Sequence, residues 1–155
     1  MHRFHNEQAR EVGVHLCGRR LYEVMRYWET AAEDPSLADH MLEFAAVWNA
    51  TPKVVCSRTL ESVGPNATLL KEGAAEEVTR LKREPGKDLF VGGAGLASAL
   101  IERDLVDEYR LLVCPVILGD GTPYFPPLEE RLDLELVETR TFGSPVVYLR
   151  YGRRR

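Results

Sequence analysis

Apolar residues recur along the chain with two different periods. In the segment RRLYEVMRYW, Leu21, Val24, Met25 and Trp28 stand at i, i+3, i+4 and i+7, which predicts the buried stripe of a helix. Short, mostly apolar runs such as VGVHLC predict buried strands instead. The predicted helices cover residues 2–11, 19–28, 37–50, 74–84 and 95–103. The predicted strands cover residues 12–17, 53–56, 67–72, 88–91, 107–118, 132–139 and 144–151, and RTFG joins the last two as a hairpin.

Helices and strands alternate through most of the chain, which then ends in two consecutive strands. Alternation is typical of a parallel sheet with helices on both faces, whereas consecutive strands pair antiparallel. We therefore expect an α/β protein, a three-layer α/β/α domain with a mixed, mostly parallel central sheet and an antiparallel C-terminal strand pair. Since no long linker or internal repeat divides the chain, residues 1–155 are predicted to form one domain.

Composition narrows the class of partner. The net charge of −4 argues against a nucleic-acid partner, because affinity for phosphate backbones needs a basic surface. No apolar run approaches the roughly 20 residues of a membrane-spanning helix, and the N-terminal segment is too polar for a secretory signal. We expect no membrane partner and a cytoplasmic location.

Cysteine and histidine show no recognisable site pattern. Cys17, Cys56 and Cys114 are odd in number and lie in or beside apolar runs, which predicts reduced core thiols instead of disulfides. The four histidines, at positions 2, 5, 15 and 40, have no zinc-like spacing. No metal site is therefore predicted.

Three predicted strands end in groups that suit an anionic ligand. VHLC is followed by Gly-Arg-Arg, KVVC by Ser-Arg-Thr, and LFV by Gly-Gly-Ala-Gly. In α/β sheets the carboxyl ends of strands meet where ligands bind. Arginines are bidentate donors to phosphate, and a glycine run at a helix start lets a phosphate approach the main chain. The glycines would make room for a pyrophosphate.

Each of these motifs also has a purely structural interpretation. The Gly-Gly pair is equally compatible with a tight turn or close helix packing. Arg19 and Arg20 are compatible with solvated side chains at a helix start, although cations there oppose the helix dipole. The tripeptide from Ser57 to Thr59 is compatible with a polar turn.

Two other nucleotide-binding motifs are disfavoured. Gly93, Gly95 and Ser98 almost spell the Rossmann fingerprint G-x-G-x-x-G, but the strand that follows does not end in the acidic residue that holds the ribose. Arginines at positions 19, 20 and 58 suit a ligand with an additional phosphate, as in NADPH. A P-loop is excluded because no G-K-[ST] is present.

Four segments, HLCGRRLYE, KVVCSRTL, DLFVGGAGLASAL and LVDEYRLLVCPVILGDGTPYF, together resemble the dihydrofolate-reductase-like superfamily. The closer likeness is to the branch containing the reductase domain of riboflavin biosynthesis, over about residues 2–151. The resemblance implies NADPH and a hydride transfer to a pterin-like or pyrimidine-like substrate, as in dihydrofolate reductase or 5-amino-6-(5-phosphoribosylamino)uracil reductase. A Gly-Gly bond that is often cis is also implied.

The resemblance also assigns cofactor-binding residues by position. Residues after the first strand would meet the cofactor phosphates, those after KVVC would surround the 2′-phosphate, and those of the glycine run would pass beside the pyrophosphate and nicotinamide. The implied residues are Gly18, Arg19, Arg20, Leu21, Ser57, Arg58, Thr59, Gly92, Gly93, Ala94, Gly95 and Leu96.

One departure from the family pattern bears on catalysis. Relatives begin with an apolar strand and an S-L-D-G-type segment, and the chain is expected to be N-terminally truncated relative to them. A sheet lacking that strand would have unpaired edges, so we expect a homodimer. The same segment carries the family's proton-donating residue, and no catalytic residue is assigned here. The alternative to a reductase is a non-catalytic or degenerate dimeric nucleotide-binding module.

Overall fold

Short apolar strands alternate with helices in the first part of the protein. The computed structural model describes residues 1–155, which form two compact units, Met1–Ala97 and Ser98–Arg155. The first unit contains α1 (His2–Arg10), β1 (Val12–Gly18), α2 (Arg19–Met25), α3 (Tyr27–Thr30), a 3-10 turn (Ala31–Glu33), α4 (Asp39–Ala50), β2 (Lys53–Cys56), β3 (Ala67–Leu70), α5 (Ala74–Leu81) and β4 (Asp88–Gly92). Helix α6 (Ala94–Ile101) follows directly.

The four strands of the first unit form a parallel sheet in the order β3-β2-β1-β4. β1 therefore pairs with β2 on one side and with β4 on the other, and His15 lies between Lys53 and Phe90 in register. The chain moves from β1 outwards to β3 and then returns to the opposite side of β1. This reversal of direction between β1 and β4 is a topological switch point, where open α/β sheets bind ligands.

The core of the first unit lies between β1, β2, α2 and α4. Cys17, Tyr22, Trp48 and Val55 are fully buried there, with Leu21, Met25 and Trp28 partly buried beside them. The prediction for Val24 was wrong, since 71% of this residue is exposed. The helical stripe does not continue as predicted because α2 ends after seven residues, and Tyr22 is the residue that points inward.

Lys53 is a buried cation that closes the end of α4. Its Nζ donates to the carbonyl oxygens of Trp48, at 2.6 Å, and Thr51, at 2.8 Å, and lies 4.7 Å from the centroid of the Trp48 ring. These carbonyls lack partners within the helix, and the C-terminal end of the helix dipole favours a cation. The ammonium therefore satisfies the C-terminus of α4 inside the core.

The second unit contains an antiparallel sheet of three strands. β5 (Glu108–Val113), β6 (Leu134–Thr141) and β7 (Val147–Arg153) lie in the order β5-β7-β6, and the predicted pairing of the last two strands is confirmed. Glu108 on β5 forms an ion pair with Arg150 on β7, at 3.5 Å. The α/β class is likewise confirmed, with the parallel and antiparallel strands in separate sheets.

The strand predicted over residues 107–118 is shorter than expected. β5 ends at Val113, and the Val116 amide donates to the Cys114 carbonyl at 2.8 Å, which makes a tight turn around Pro115. Proline has no amide hydrogen for the ladder, so the strand ends there. Cys114 is consequently exposed, which corrects the prediction of three core thiols, although all three cysteines are free.

The described helices also bear on the membrane question. None of them combines the length and the apolar character that crossing a bilayer requires.

Candidate functional site

The three predicted anion-binding loops lie at one end of the parallel sheet. Gly18, the last residue of β1, pairs in register with Cys56, the last residue of β2, and Cys17 pairs with Gly92, the last residue of β4. The segments that follow these strands therefore begin side by side. We call this set of strand ends and loops, residues 18–21, 57–59 and 92–96, the glycine-arginine rim.

Arg19 connects two of the loops. Its Nη1 donates a 2.8 Å hydrogen bond to Oγ1 of Thr59, and its Nε donates to Oε1 of Glu23, also at 2.8 Å. Half of the Arg19 side chain remains exposed. The Arg19 guanidinium is thus oriented from both sides while it still faces solvent.

Arg20 and Arg58 are the unpaired cations of the rim. Both are exposed, and neither forms a hydrogen bond or an ion pair with another residue of the chain. Arginines with no carboxylate partner at a strand end are available to bind an anion, and a guanidinium binds phosphate oxygens through two parallel hydrogen bonds.

Ser57 organises its own loop. It is 9% exposed, and its Oγ accepts hydrogen bonds from the amides of Thr59, at 3.3 Å, and Leu60, at 3.1 Å. This is the arrangement of a Ser turn, in which the hydroxyl replaces a backbone acceptor. The structural interpretation of the tripeptide therefore holds for Ser57, whereas Arg58 and Thr59 project into the rim.

Two of the glycines have structural reasons to be glycine. Gly93 has φ +99°, a conformation that L side chains rarely adopt, and a Cβ there would lie 3.4 Å from the Gly18 amide nitrogen. A Cβ on Gly92 would lie 2.2 Å from Cδ2 of Leu21. The Gly92–Gly93 bond is trans, which corrects the expectation of a cis bond. Close packing of β4 against β1 and α2 thus explains both residues.

Gly95 is different, because the space beside it is open. Apart from its chain neighbours and its own helix, no atom lies within 4 Å of the position that its Cβ would take. Gly95 belongs to the first turn of α6, and amides in the first turn of a helix have no carbonyl acceptors within the helix. The free space at Gly95 therefore lies where a helix N-terminus favours a negative charge.

Sequence reasoning missed Lys71 and Glu23. Lys71 directly follows β3, whose last residue Leu70 pairs with Cys56, so it adds a cation to the same end of the sheet. Its Nζ donates to the carbonyl of Leu60, which holds the side chain next to the Ser-Arg-Thr loop. The strand predicted over residues 67–72 included Lys71, so its position just after a strand became clear only because β3 ends at Leu70.

The thiols at the ends of β1 and β2 are poor candidates for proton transfer. Burial raises the pKa of Cys17 to about 11 and also raises the pKa of Cys56. A thiol of this kind stays protonated at neutral pH and is a weak acid and a poor nucleophile. The rim therefore contains guanidinium, hydroxyl and main-chain donors, the types of group with which proteins bind anions.

A parallel sheet with arginine-rich and glycine-rich loops at its switch point is an arrangement that many nucleotide-binding α/β proteins share. Residues 1–148 match the family model described as the RibD C-terminal domain, and the chain belongs to this family. The predicted resemblance to the riboflavin-biosynthesis reductase branch is thereby confirmed.

Relatives with similar sequences occur in Bacillus subtilis strain 168. The uncharacterized protein YyaP is 37% identical over 142 residues, which cover 91% of this chain and 74% of YyaP. The uncharacterized protein YwjB is 38% identical over 89 residues, which cover 57% of this chain and 51% of YwjB.

Two crystal structures share the fold. One is a protein from Shewanella sp. PV-4, provisionally assigned to riboflavin biosynthesis, with TM-score 0.72, 20% identity and coverage of 96% of this chain and 78% of that protein. The other is a pyrimidine reductase-like protein from Corynebacterium diphtheriae, with TM-score 0.58, 14% identity and coverage of 96% and 79%. At these identities the likeness concerns the fold.

Proposed function

We propose that the protein is an NADPH-dependent reductase that transfers a hydride to a small pterin-like or pyrimidine-like heterocycle. The observation that carries the proposal is the pair of unpaired, exposed arginines, Arg20 and Arg58, on loops that begin side by side at the switch point of the sheet. Membership of the RibD C-terminal domain family supports a reductase.

The residues of the rim fit a dinucleotide with an extra phosphate. In this proposal Arg58 and Thr59 bind the 2′-phosphate, and Ser57 holds their loop in place. Arg19 and Arg20 bind the pyrophosphate together with the first turn of α6, where Gly95 leaves space. The bound cofactor supplies the hydride, and the chain supplies binding and orientation.

Leu21, Gly92 and Gly93 determine how closely the loops after β1 and β4 pack together. The Leu21 side chain fills the space beside Gly92, and Gly93 allows β4 to approach Gly18. These contacts fix the separation between the β1 and β4 loops. We assign Gly18, Leu21, Gly92, Gly93, Ala94 and Leu96 this supporting part in the cofactor site.

Cofactor titration tests the proposal directly. Replacing Arg58 by Ala should weaken NADPH binding by about 10- to 100-fold, because a hydrogen bond to a charged group contributes about 1.5 to 3 kcal/mol. NADH has no 2′-phosphate, so its affinity should change little. The matched control is Arg83→Ala, which removes an exposed cation from the turn after α5. Equal weakening of both dinucleotides would contradict the proposed role of Arg58.

A non-catalytic nucleotide-binding module is the second candidate. The composition of the rim favours it, since residues 18–21, 57–59 and 92–96 include no aspartate, glutamate, histidine, cysteine or tyrosine that could donate a proton. Both candidates require NADPH binding. Only a reductase consumes NADPH when pterin or pyrimidine substrates are supplied, which is followed by the loss of absorbance of the reduced nicotinamide.

We further propose a cytoplasmic homodimer. The three free cysteines suit a reducing compartment. β5 is an edge strand of its sheet, and the segment that follows it exposes three consecutive apolar residues, Val116, Ile117 and Leu118. Exposed apolar runs beside a free strand edge mark association sites, and a second copy brings a self-complementary edge.

A further inference from the structure

The first unit contains a cavity that shares no residue with the glycine-arginine rim. It has a volume of about 300 Å³, at the lower end of the range of ligand sites. Three histidines far apart in sequence, His2, His5 and His40, line it together with the aromatic residues Trp28 and Phe44. Sequence spacing indicated no relationship among these histidines, and the fold brings them to one place.

Helices α1 and α4 pack together, and His2 and His40, from the first turn of each helix, both line this cavity. The rings of His2 and His40 lie 4.4 Å apart, Asn6 Nδ2 donates to the His40 carbonyl at 2.9 Å and to Glu43 Oε2 at 2.6 Å, and Arg10 pairs with Glu43. The N-terminal ends of the two helices therefore lie at the cavity, where helix dipoles add positive potential.

The imidazoles lack a negative partner in the cavity. Burial and the neighbouring His2 lower the pKa of His5, so that His5 favours the neutral form in the free protein. The carboxylate of Glu43 is already engaged by Asn6 and Arg10. The N-terminal ammonium also lowers the pKa of His5. The other charged groups on the elements that line the cavity are Arg3, Glu7, Arg20, Asp39 and the Arg19–Glu23 and Arg26–Glu29 ion pairs.

Apart from the histidines and Asn6, the lining of the cavity is aromatic and apolar. The Trp28 and Phe44 rings pack edge to face with centroids 4.9 Å apart, and the two other residues of this part are methionines, Met25 and Met41. Aromatic and thioether groups favour a flat ring. The histidines do not have the arrangement of a metal site.

We propose that this cavity binds a flat aromatic ring that carries an anionic group, either a carboxylate or a phosphate. The ring packs against Trp28 and Phe44, and the anion lies among His2, His5 and His40. Because the cavity and the rim have no residue in common, this site is independent of the proposed NADPH site.

Fluorescence tests this site in the full-length chain. The protein has two tryptophans, and Trp48 is buried, so a change in emission at the solvent-facing cavity reports Trp28. Benzoate and phenyl phosphate are the probes at pH 6, and benzamide and cyclohexanecarboxylate are the matched neutral and non-planar controls. Benzoate or phenyl phosphate should bind about tenfold more tightly than either control. The tighter of the two probes then shows whether the site prefers a carboxylate or a phosphate. Equal binding of the controls, or no binding of either probe, would overturn the proposal.

Variants locate the site. His5→Gln and His40→Gln should each weaken the preferred probe at pH 6 by about tenfold, since each removes an imidazole from the surroundings of the bound anion. Arg83→Gln is the charge-matched control and should bind like wild type. NADPH affinity should be unchanged in all variants, and unchanged probe affinity in the histidine variants would refute the assignment.

Discussion

The Arg19 guanidinium donates a 2.8 Å hydrogen bond to Oγ1 of Thr59, and so joins the loops that follow β1 and β2. These residues are 40 positions apart in sequence, yet the parallel pairing of Gly18 with Cys56 makes them neighbours. The side-chain contact therefore depends on the register of the sheet.

Loss of this contact should affect ligand binding more than folding. Thr59→Val removes the acceptor, and because the contact is exposed we expect the free energy of unfolding to change by less than about 1 kcal/mol. NADPH affinity should fall several-fold, since Arg19 loses one of its two orienting partners and the Thr59 hydroxyl no longer contacts the 2′-phosphate. Titration and urea unfolding of the same variant measure both effects. A large loss of stability with unchanged affinity would show that the contact is structural.

Alanine substitutions at Gly93 and Gly95 distinguish a glycine that is needed for close packing from a glycine that leaves space for a ligand. Gly93→Ala should destabilise the protein by about 1 to 2 kcal/mol, because φ +99° is strained for alanine. Gly95→Ala should instead stabilise α6 by about 0.5 to 1 kcal/mol, since alanine favours a helix and its Cβ meets no neighbour. If the pyrophosphate approaches Gly95, the second variant should nevertheless bind NADPH less tightly. Unimpaired binding would place the ligand elsewhere.

Lys53 should be important for stability because it satisfies two carbonyls at the end of α4. Lys53→Met leaves the carbonyl oxygens of Trp48 and Thr51 without this donor, and each buried unsatisfied group costs about 1 to 3 kcal/mol. Urea unfolding should therefore show a clear loss of stability. Arg83→Met, an exposed change with the same loss of charge, should lie within about 0.5 kcal/mol of wild type.

Protonation of His15 should destabilise the fold in mild acid. Burial and the nearby Lys53 lower the pKa of His15 to about 4, and Nε2 of this residue has no hydrogen-bond partner. The unfolded chain takes up the proton near pH 6.5, before the folded protein does. Neutral His15 therefore contributes its full share to the free energy of unfolding above pH 6.5. That share falls by at most about 3 kcal/mol as the pH drops through 4.

Unfolding free energies measured between pH 7.5 and 4 test this prediction. His15→Leu has a similar volume and does not titrate, so its stability should depend less steeply on pH over this interval. Identical pH profiles for the variant and the wild type would mean that His15 is not the responsible group.

The proposed dimer makes a prediction about the segment after β5. Ile117 is 97% exposed, and Ile117→Asp should shift the protein to a monomer, as measured by light scattering during gel filtration. Val24→Asp places the same charge on another exposed apolar residue and should not change the mass. A wild-type protein that is monomeric at high concentration would disprove the association.

Strand positions followed well from local pattern, whereas their lengths depended on single residues. β2 lies where KVVC predicted it, because a short apolar run bounded by polar residues has few alternatives. β5 ends early at Pro115, a breaker that was visible in the sequence and outweighed by the apolar residues on both sides. The inward position of Tyr22 instead of Val24 depended on the end of α2, which periodicity alone does not locate.

The sequence likewise predicted some features of the candidate site and not others. Strand polarity was sufficient to predict that the Gly-Arg-Arg, Ser-Arg-Thr and Gly-Gly loops follow strands that end together. It did not reveal that Ser57 binds its own loop, or that Leu21 fills the space beside Gly92, because both depend on tertiary packing. The convergence of His2, His5 and His40 likewise depends on the alignment of two helices.

The order of the strands also has a consequence for local opening. β1 has a hydrogen-bonded neighbour on each side, whereas β4 has β1 alone. Amide protons in β4 and in the Gly92–Leu96 segment should therefore exchange with deuterium sooner than those of β1, because separating an outer strand breaks a single ladder. The Gly92–Leu96 part of the glycine-arginine rim would then move when a ligand binds, whereas the part that carries Arg19 and Arg20 keeps its position.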